Sequence, residues 1–254
     1  MIFKEIGDKK YPTIIFLHGG GLSDWSWKVI VDKFSDKYNV VTPIIDGHGE
    51  DGGEKFISID DSASKLIDYI EKEKSGKVFA IGGLSIGAQI LCEVLSQRPH
   101  ITDYAIIESA LVVPIKGITA LTVPTYQLCY GLLKKRWFAK MQAQTLCVPD
   151  ELFETYYRDS LNITKQSLIN ITLSNGNYLL KNAIANTTAK VLIIVGEKEI
   201  GVMKKSAKLL HTTLKESSLY IAPKLKHGEL SLVYPNQYIE KLETLISNGH
   251  AHYA

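Results

Sequence analysis

The sequence predicts an α/β domain with a doubly wound, mostly parallel sheet, and two patterns support that prediction. Short apolar runs rich in β-branched residues indicate buried strands at 2–6, 13–17, 39–45, 77–81, 104–108, 190–195 and 218–222. Helical patterns separate most of these runs, near 26–36, 59–74, 86–97, 201–214 and 236–247. Strands that alternate with helices form a parallel sheet covered on both faces. At 254 residues and 45% hydrophobic content, the chain can bury the core of one such domain.

One interval breaks the alternation of strands and helices. Residues 111–188 span far more chain than a crossover between neighbouring strands requires. Their pattern is helical, with large side chains at helical spacing at Tyr126, Tyr130, Leu133 and Trp137 and again at Leu152, Phe153, Tyr156 and Tyr157. We therefore expect a helical insertion at 111–188 within a core formed by residues 1–110 and 189–254.

Two of the predicted strands lead into glycine-rich loops. The run 13–17 continues into His18-Gly19-Gly20-Gly21, whose backbone N–H groups can approach a ligand closely. The run 77–81 leads through Gly83-Leu84-Ser85-Ile86-Gly87 into a helical pattern, which places Ser85 at the apex of a strand-turn-helix. Such a turn needs nearly side-chain-free positions two residues before and after the serine. Ser85 is therefore the candidate nucleophile, and the N–H groups of Gly20 and Ile86 are the candidate oxyanion donors.

A serine hydroxyl is a poor nucleophile at neutral pH, so it needs a base and an acid that orients the base. The run 190–195 ends in Gly196-Glu197-Lys198-Glu199, which places Glu199 just past a strand end. The loop after the run 218–222 carries His227. We favour Glu199 as the acid and His227 as the base.

Other residues compete for both roles. Glu108 closes the run 104–108 and is the alternative acid. The competing histidines are His18 in the glycine loop, His48 in a turn, His100 and His211 at helix ends, and His250 and His252 in a tail that we expect to be disordered.

The order serine, acid, histidine, each on a loop after a strand, resembles that of the α/β-hydrolase superfamily. Further resemblances are Leu17-His18-Gly19, the stretch 24–27, Asp46-Gly47-His48-Gly49, the stretch 195–199, and His227 followed by Tyr234-Pro235. The resemblance implies an α/β-hydrolase fold, a helical cap inserted after strand 6, and a triad of Ser85, Glu199 and His227. Two features depart from the family: its acid is more often Asp, and the chain begins so close to its first strands that we expect one amino-terminal edge strand to be missing.

A cap over the strand ends would cover the pocket, and its side chains would determine which substrates bind. We expect Trp25 and Trp27 near the glycine loop, with Tyr126, Tyr130 and Trp137 of the cap, to bind a largely apolar group. The expected activity is hydrolysis of a small carboxylic ester through an acyl-enzyme. The same residues could serve hydrolysis of thioesters, lactones, amides or carbon–carbon bonds, or a cofactor-free lyase like that of menaquinone synthesis. A protein of another class, a small-molecule receptor or signalling protein on the same fold, is the second alternative.

Composition narrows the class of partner. A net charge of +2 argues against nucleic acid, and Lys134-Lys135-Arg136, standing alone, is more typical of a solvated helix face. We expect neither a signal peptide nor a membrane span, and three cysteines in apolar contexts favour reduced thiols in a cytoplasmic protein. Phosphate-loop, paired-histidine zinc and Cys-x-x-Cys motifs do not occur, so we expect no cofactor or metal. The expected state is a monomer or homodimer that acts on a small-molecule substrate.

Overall fold

The computed structural model confirms the α/β fold class and the mostly parallel sheet. It describes residues 1–250, with side chains as far as residue 248. The backbone at His250 is helical, which differs from the disorder expected there, and His252 lies outside the described residues. The described strands are β1 (Ile2–Ile6), β2 (Thr13–Leu17), β3 (Asn39–Ile44), β4 (Val78–Leu84), β5 (Thr102–Glu108), β6 (Lys190–Gly196) and β7 (Ser217–Ala222). They form one sheet in the order β1-β3-β2-β4-β5-β6-β7, in which only β1 is antiparallel to its neighbour.

The described helices surround this sheet, and the five predicted near 26–36, 59–74, 86–97, 201–214 and 236–247 are among them. They are α1 (Lys28–Phe34), α2 (Ile59–Glu73), α3 (Ile86–Gln97), α4 (Ile118–Leu133), α5 (Arg136–Thr145), α6 (Phe153–Asn162), α7 (Lys165–Asn177), α8 (Gly201–Thr213), α9 (Glu229–Val233) and α10 (Pro235–His250). Among the described residues, no helix combines the length and the apolarity that crossing a bilayer requires.

Alternation along the strands divides the core into two layers. In β2, Ile15 and Leu17 pack with apolar residues of α2, α3 and α8 on one face. Ile14 and Phe16 pack with α1 and α10 on the other. Successive strand residues point to opposite faces, so a sheet covered on both sides needs an unbroken apolar run.

The order of the strands explains where a site can form. The connection from β2 runs through α1 to β3 on one side, and that from β4 runs through α3 to β5 on the other. Because α1 and α3 lie on opposite faces, the loops after β2 and β4 diverge and leave a crevice at the carboxyl ends of these neighbouring strands. The glycine loop and Ser85 lie at that crevice.

The four helices α4 to α7 lie between β5 and β6, where the sequence predicts the insertion. In this chain the insertion follows the fifth strand, because no described strand precedes β1, and β5 therefore takes the place of strand 6. The N–H of Leu180 donates to the carbonyl of Val112 over 3.3 Å, so the insertion leaves and rejoins the core at one point.

Candidate active site

Ser85 stands on a sharp turn between β4 and α3. Its backbone is in the left-handed region, at φ 55° and ψ −114°. A Cβ atom on Gly83 would lie 2.6 Å from the carbonyl oxygen of Gly87, and one on Gly87 would collide with the carbonyl oxygen of Leu17. The turn therefore requires glycine at both positions. A non-glycine residue held in such a conformation costs of the order of 1–3 kcal/mol, which the packing of β4 and α3 must offset.

Glu199 and His227 form a hydrogen-bonded pair. The Nδ1 atom of His227 lies 2.8 Å from Oε2 of Glu199. The other oxygen, Oε1, accepts from the Ser109 hydroxyl at 2.7 Å and from the Gly196 N–H at 2.8 Å. Burial alone would raise the pKa of Glu199, but the hydrogen bond and charge of His227, with the bonds from Gly196 and Ser109, hold that pKa below its ordinary value. The Glu199 carboxylate is therefore ionised and fixed in position.

The alternative acid, Glu108, lies in a different environment. It is buried, its Oε1 accepts from the Ser231 N–H at 3.3 Å, and its Oε2 has no partner among the described residues. Burial raises the pKa of Glu108 to about 7, although the bonds from Ser231 oppose the shift. Glu108 makes no hydrogen bond with His227, so the geometry favours Glu199 as the orienting acid.

The two candidate oxyanion donors are backbone N–H groups that make no hydrogen bond within the described part of the chain. Neither the Gly20 N–H nor the Ile86 N–H has an acceptor among the described residues, and both residues line a cavity with Ser85. His18 shapes this loop, because its Nδ1 lies 2.9 Å from the carbonyl oxygen of Gly19 and its Nε2 accepts from the Ile45 N–H at 3.1 Å. Burial, with the neighbouring His48, lowers the pKa of His18 to about 3. His18 is therefore neutral and is not a base for Ser85.

Two cavities meet at Ser85. The larger, of about 750 Å³, is lined by Ser85, Glu199 and His227. The smaller, of about 300 Å³, is lined by Ser85, Gly20 and Ile86, with apolar side chains that include Leu168 and Ile171. Asn175 of α7 lines both cavities, as Ser85 does. Ser85 therefore lies between the cavity that holds the candidate oxyanion donors and the cavity that holds His227.

The structure places one of the five predicted substrate-binding aromatics, Tyr126, in a cavity with Ser85. Tyr130 also lies in α4, but its hydroxyl donates to the carbonyl of Ile163 at 2.9 Å and the ring is not part of the lining. Trp137 is 65% exposed on α5. Helical spacing predicts that these residues share a face of a helix. It does not show whether that face points toward the catalytic cavity or toward another part of the molecule.

The two other tryptophans lie away from Ser85. Trp27 is fully buried in the α1 side of the core, where it stacks on Phe16 with ring centroids 5.1 Å apart. Trp25 donates to Asp159 at 2.9 Å and lines a separate cavity of about 290 Å³. Their places in the structure correct the expectation that they form part of the substrate pocket, because the short 3₁₀ turn that carries them packs against the core and α6.

Sequence reasoning missed two polar features of the site. Gln89, buried one turn after Ser85, donates to the carbonyl of Asn175 at 3.0 Å and accepts from the Asn175 side chain at 2.9 Å. The sequence does contain a signal for Gln89, because it is a polar residue within the largely apolar pattern of α3. Lys198 and Lys226, next to Glu199 and His227 in sequence, line the larger cavity, for which the sequence predicted a largely apolar ligand.

A family model described as the alpha/beta hydrolase family matches residues 14–215, which is most of the chain. The chain belongs to the alpha/beta hydrolase family. No curated protein sequence matches this hydrolase significantly.

Solved structures with the same fold are numerous. An esterase from Thermogutta terrifontis has a TM-score of 0.77 at 14% identity, over 98% of this hydrolase and 93% of that chain. An esterase from Exiguobacterium antarcticum has a TM-score of 0.78 at 15% identity, over 96% and 94%. A bromoperoxidase from Bacillus anthracis has a TM-score of 0.79 at 16% identity, over 96% and 94%. Since proteins named for different reactions are equally similar, the fold of this α/β hydrolase does not specify its reaction.

Proposed function

We propose that this protein is a serine hydrolase that cleaves small, largely apolar carboxylic esters through an acyl-enzyme. The observation that carries the proposal is the cavity that Ser85 shares with the hydrogen-bonded pair of His227 and Glu199. A strained serine, an imidazole held by an ionised acid, and two unoccupied N–H donors are the groups that acyl transfer requires.

The proposed reaction has two halves. Glu199 accepts a hydrogen bond from the Nδ1–H of His227, which keeps that proton on Nδ1 and leaves Nε2 unprotonated to take the proton from Ser85 as its Oγ attacks the ester carbonyl carbon. The N–H groups of Gly20 and Ile86 stabilise the oxyanion that forms. The intermediate collapses to the acyl-enzyme as His227 returns its proton to the departing alkoxide, giving an alcohol. A water molecule, deprotonated by His227, then attacks the acyl carbon, and Ser85 leaves with the proton as the carboxylic acid forms.

The two cavities predict how an ester lies in the site. The leaving alcohol must face His227, which protonates it, and so belongs in the larger cavity. The acyl group then extends into the smaller cavity beside the oxyanion donors. A volume of about 300 Å³ is at the lower end of ligand pockets, and the lining there is largely apolar. We therefore expect a short apolar acyl group.

The larger cavity carries charged side chains and, at about 750 Å³, has room for more varied alcohols. Lys198 and Lys226 lie there together with Glu229 and Gln144. Opposite charges on its wall favour neither an anionic nor a cationic leaving group strongly. Selectivity should therefore be sharper for the acyl chain than for the alcohol.

The decisive experiment is intact-mass analysis after exposure to a fluorophosphonate, with Ser85→Ala as the matched control. One adduct on the wild type and none on the variant is the expected result. A panel of p-nitrophenyl esters graded in acyl length should then show kcat/KM falling once the chain exceeds the smaller cavity. A folded wild type without an adduct would contradict the proposal and favour a receptor, whereas an adduct with turnover only of thioesters, lactones or amides would correct the substrate class.

A further inference from the structure

Helix α4 is largely apolar, yet most of its residues are exposed. Its sixteen residues include no charged side chain, and Thr122 alone among them is buried. Leu121 and Leu128 are 69% and 85% exposed, and Leu132 is also exposed. Their spacing of i, i+7 and i+11 aligns them in one stripe. A helix without a polar face is normally buried in a core or in lipid, so α4 lacks the surroundings that its composition requires.

The chain segment that contains this apolar stripe has cations at both ends of the stripe and no acidic residue. From Ser109 to Pro149 the chain has no Asp or Glu, and its cations are Lys116, Lys134, Lys135, Arg136 and Lys140. The chain as a whole has a net charge of +2, so the remainder is net negative and the net positive charge lies in this segment, because it lacks carboxylates. Arg136 pairs with Glu154, whereas Lys116, Lys135 and Lys140 have no ion pair among the described residues. Lys134-Lys135-Arg136 therefore does not stand alone.

Apolar side chains beside this region reach the catalytic cavity. Ile115, just before α4, and Met141 of α5 are both exposed and both line the larger cavity with Ser85. Trp137, at the start of α5, exposes its ring beside the basic cluster. Exposed Trp, Leu and Lys on one surface are typical of helices that lie at the boundary between lipid headgroups and acyl chains.

We propose that the surface formed by α4 and the first half of α5 docks on a membrane whose headgroups are anionic. The Leu121, Leu128 and Leu132 stripe would enter the boundary between headgroups and acyl chains, with Trp137 beside it and the lysines at its edge on lipid phosphates and carboxylates. A second copy of the chain is a poorer occupant, because a symmetric contact through this surface would bring the cations of both copies together. The proposal does not depend on the reaction at Ser85.

Vesicle co-sedimentation of the full chain tests the proposal. We expect binding to vesicles of phosphatidylcholine with 30% phosphatidylserine, weaker binding to pure phosphatidylcholine, and weakening of the former by 0.5 M NaCl. Leu121→Gln with Leu128→Gln should reduce the partition coefficient at least ten-fold. Lys135→Gln with Lys140→Gln should reduce it by about five-fold per cation on the mixed vesicles only.

Matched changes elsewhere serve as controls. Lys208→Gln with Lys215→Gln removes two exposed cations from the α8 region, and Ile57→Gln removes an exposed apolar side chain. Both control variants should bind vesicles as the wild type does, and all variants should keep their circular dichroism spectra and thermal midpoints. The proposal is overturned if the wild type does not bind the mixed vesicles, or if the paired variants bind them unchanged. It is also overturned if light scattering shows a dimer that Leu128→Gln dissociates, since a second copy would then cover α4.

Discussion

Glu199 uses both of its carboxylate oxygens, and an amide cannot replace them. With its one oxygen toward Ser109 and Gly196, a glutamine would present its NH2 group to His227 Nδ1. The imidazole would then carry its proton on Nε2 and could not accept one from Ser85. We expect Glu199→Gln to lower kcat by roughly 10²–10⁴ while the thermal midpoint changes little, as measured with the best ester of the panel.

Glu108→Gln is the paired variant for this test. It should keep kcat within a few-fold of the wild type, because Glu108 makes no hydrogen bond with His227. A large loss of kcat in Glu108→Gln together with full activity in Glu199→Gln would reverse the two assignments.

Glu108 also makes a prediction about stability against pH. Its pKa is about 7 in the folded protein and near the ordinary value of 4.5 in the unfolded chain. Between these values the folded state holds a proton that the unfolded state has lost, so wild-type stability falls as pH rises through this window and the loss is constant above it. From pH 5 to pH 8 we expect the free energy of unfolding of Glu108→Gln to rise relative to the wild type by about 2–3 kcal/mol, measured by urea titration. Parallel pH curves for the two proteins would contradict the shifted pKa.

At the scale of single residues, the sequence predicts correctly which side chains lie in the loops that follow strands. Ser85, Glu199 and His227 each stand in a loop after a predicted strand, and the ends of parallel strands meet at one edge of the sheet. Trp27 and Trp137 could not be located in this way, because periodicity identifies a shared face and not its partner. Asn175 gave no signal, since its role depends on the contact of α7 with α3.

The turn between β4 and α3 depends on backbone clearance. Gly87→Ala would put a Cβ against the carbonyl groups of Leu17 and His18, and these cannot move without shifting the end of β2. We expect Gly87→Ala to lower the free energy of unfolding by about 3 kcal/mol or more and to abolish fluorophosphonate labelling. Gly131→Ala in α4 meets no atom within 4 Å and should instead gain up to about 1 kcal/mol. Equal effects of the two substitutions would show that crowding at the turn is not the cause.

Strands were easier to predict than the helices of the insertion. Buried parallel strands appear as continuous apolar runs, and only their ends moved: β4 extends to Leu84 because Gly82 and Gly83 still pair with β2 and β5. The insertion contains four helices where the sequence predicted only a helical region. A helix is usually recognised from an apolar buried face and a polar solvated face. Because α4 exposes apolar residues, its sequence lacks that difference between faces.

On the scale of the whole molecule, Gln89 of α3 joins the helical layer over the sheet to the insertion. Gln89→Met keeps much of the volume but leaves the Asn175 side chain, and the carbonyls of Asn175 and Leu111, without their partner. We expect a loss of about 2–4 kcal/mol in stability and faster hydrogen exchange of the α7 amides. Gln166→Met, on the exposed side of α7, is the matched control and should change neither. Unchanged α7 exchange in Gln89→Met would mean that other contacts hold the insertion.

The hydrogen bond between Leu180 and Val112 holds the two ends of the insertion together, so the insertion is a long loop that leaves the core and returns to it at the same place. The entropy of closing such a loop grows only with the logarithm of its length, so doubling or halving the excursion changes the cost by about 0.6 kcal/mol. The segments that carry Ser85, Glu199 and His227 lie outside it and would be joined by a short linker in its absence. Mutation can therefore lengthen, shorten or exchange this part of the chain while the strand ends stay in register, so that selectivity and reactivity can change by independent genetic steps.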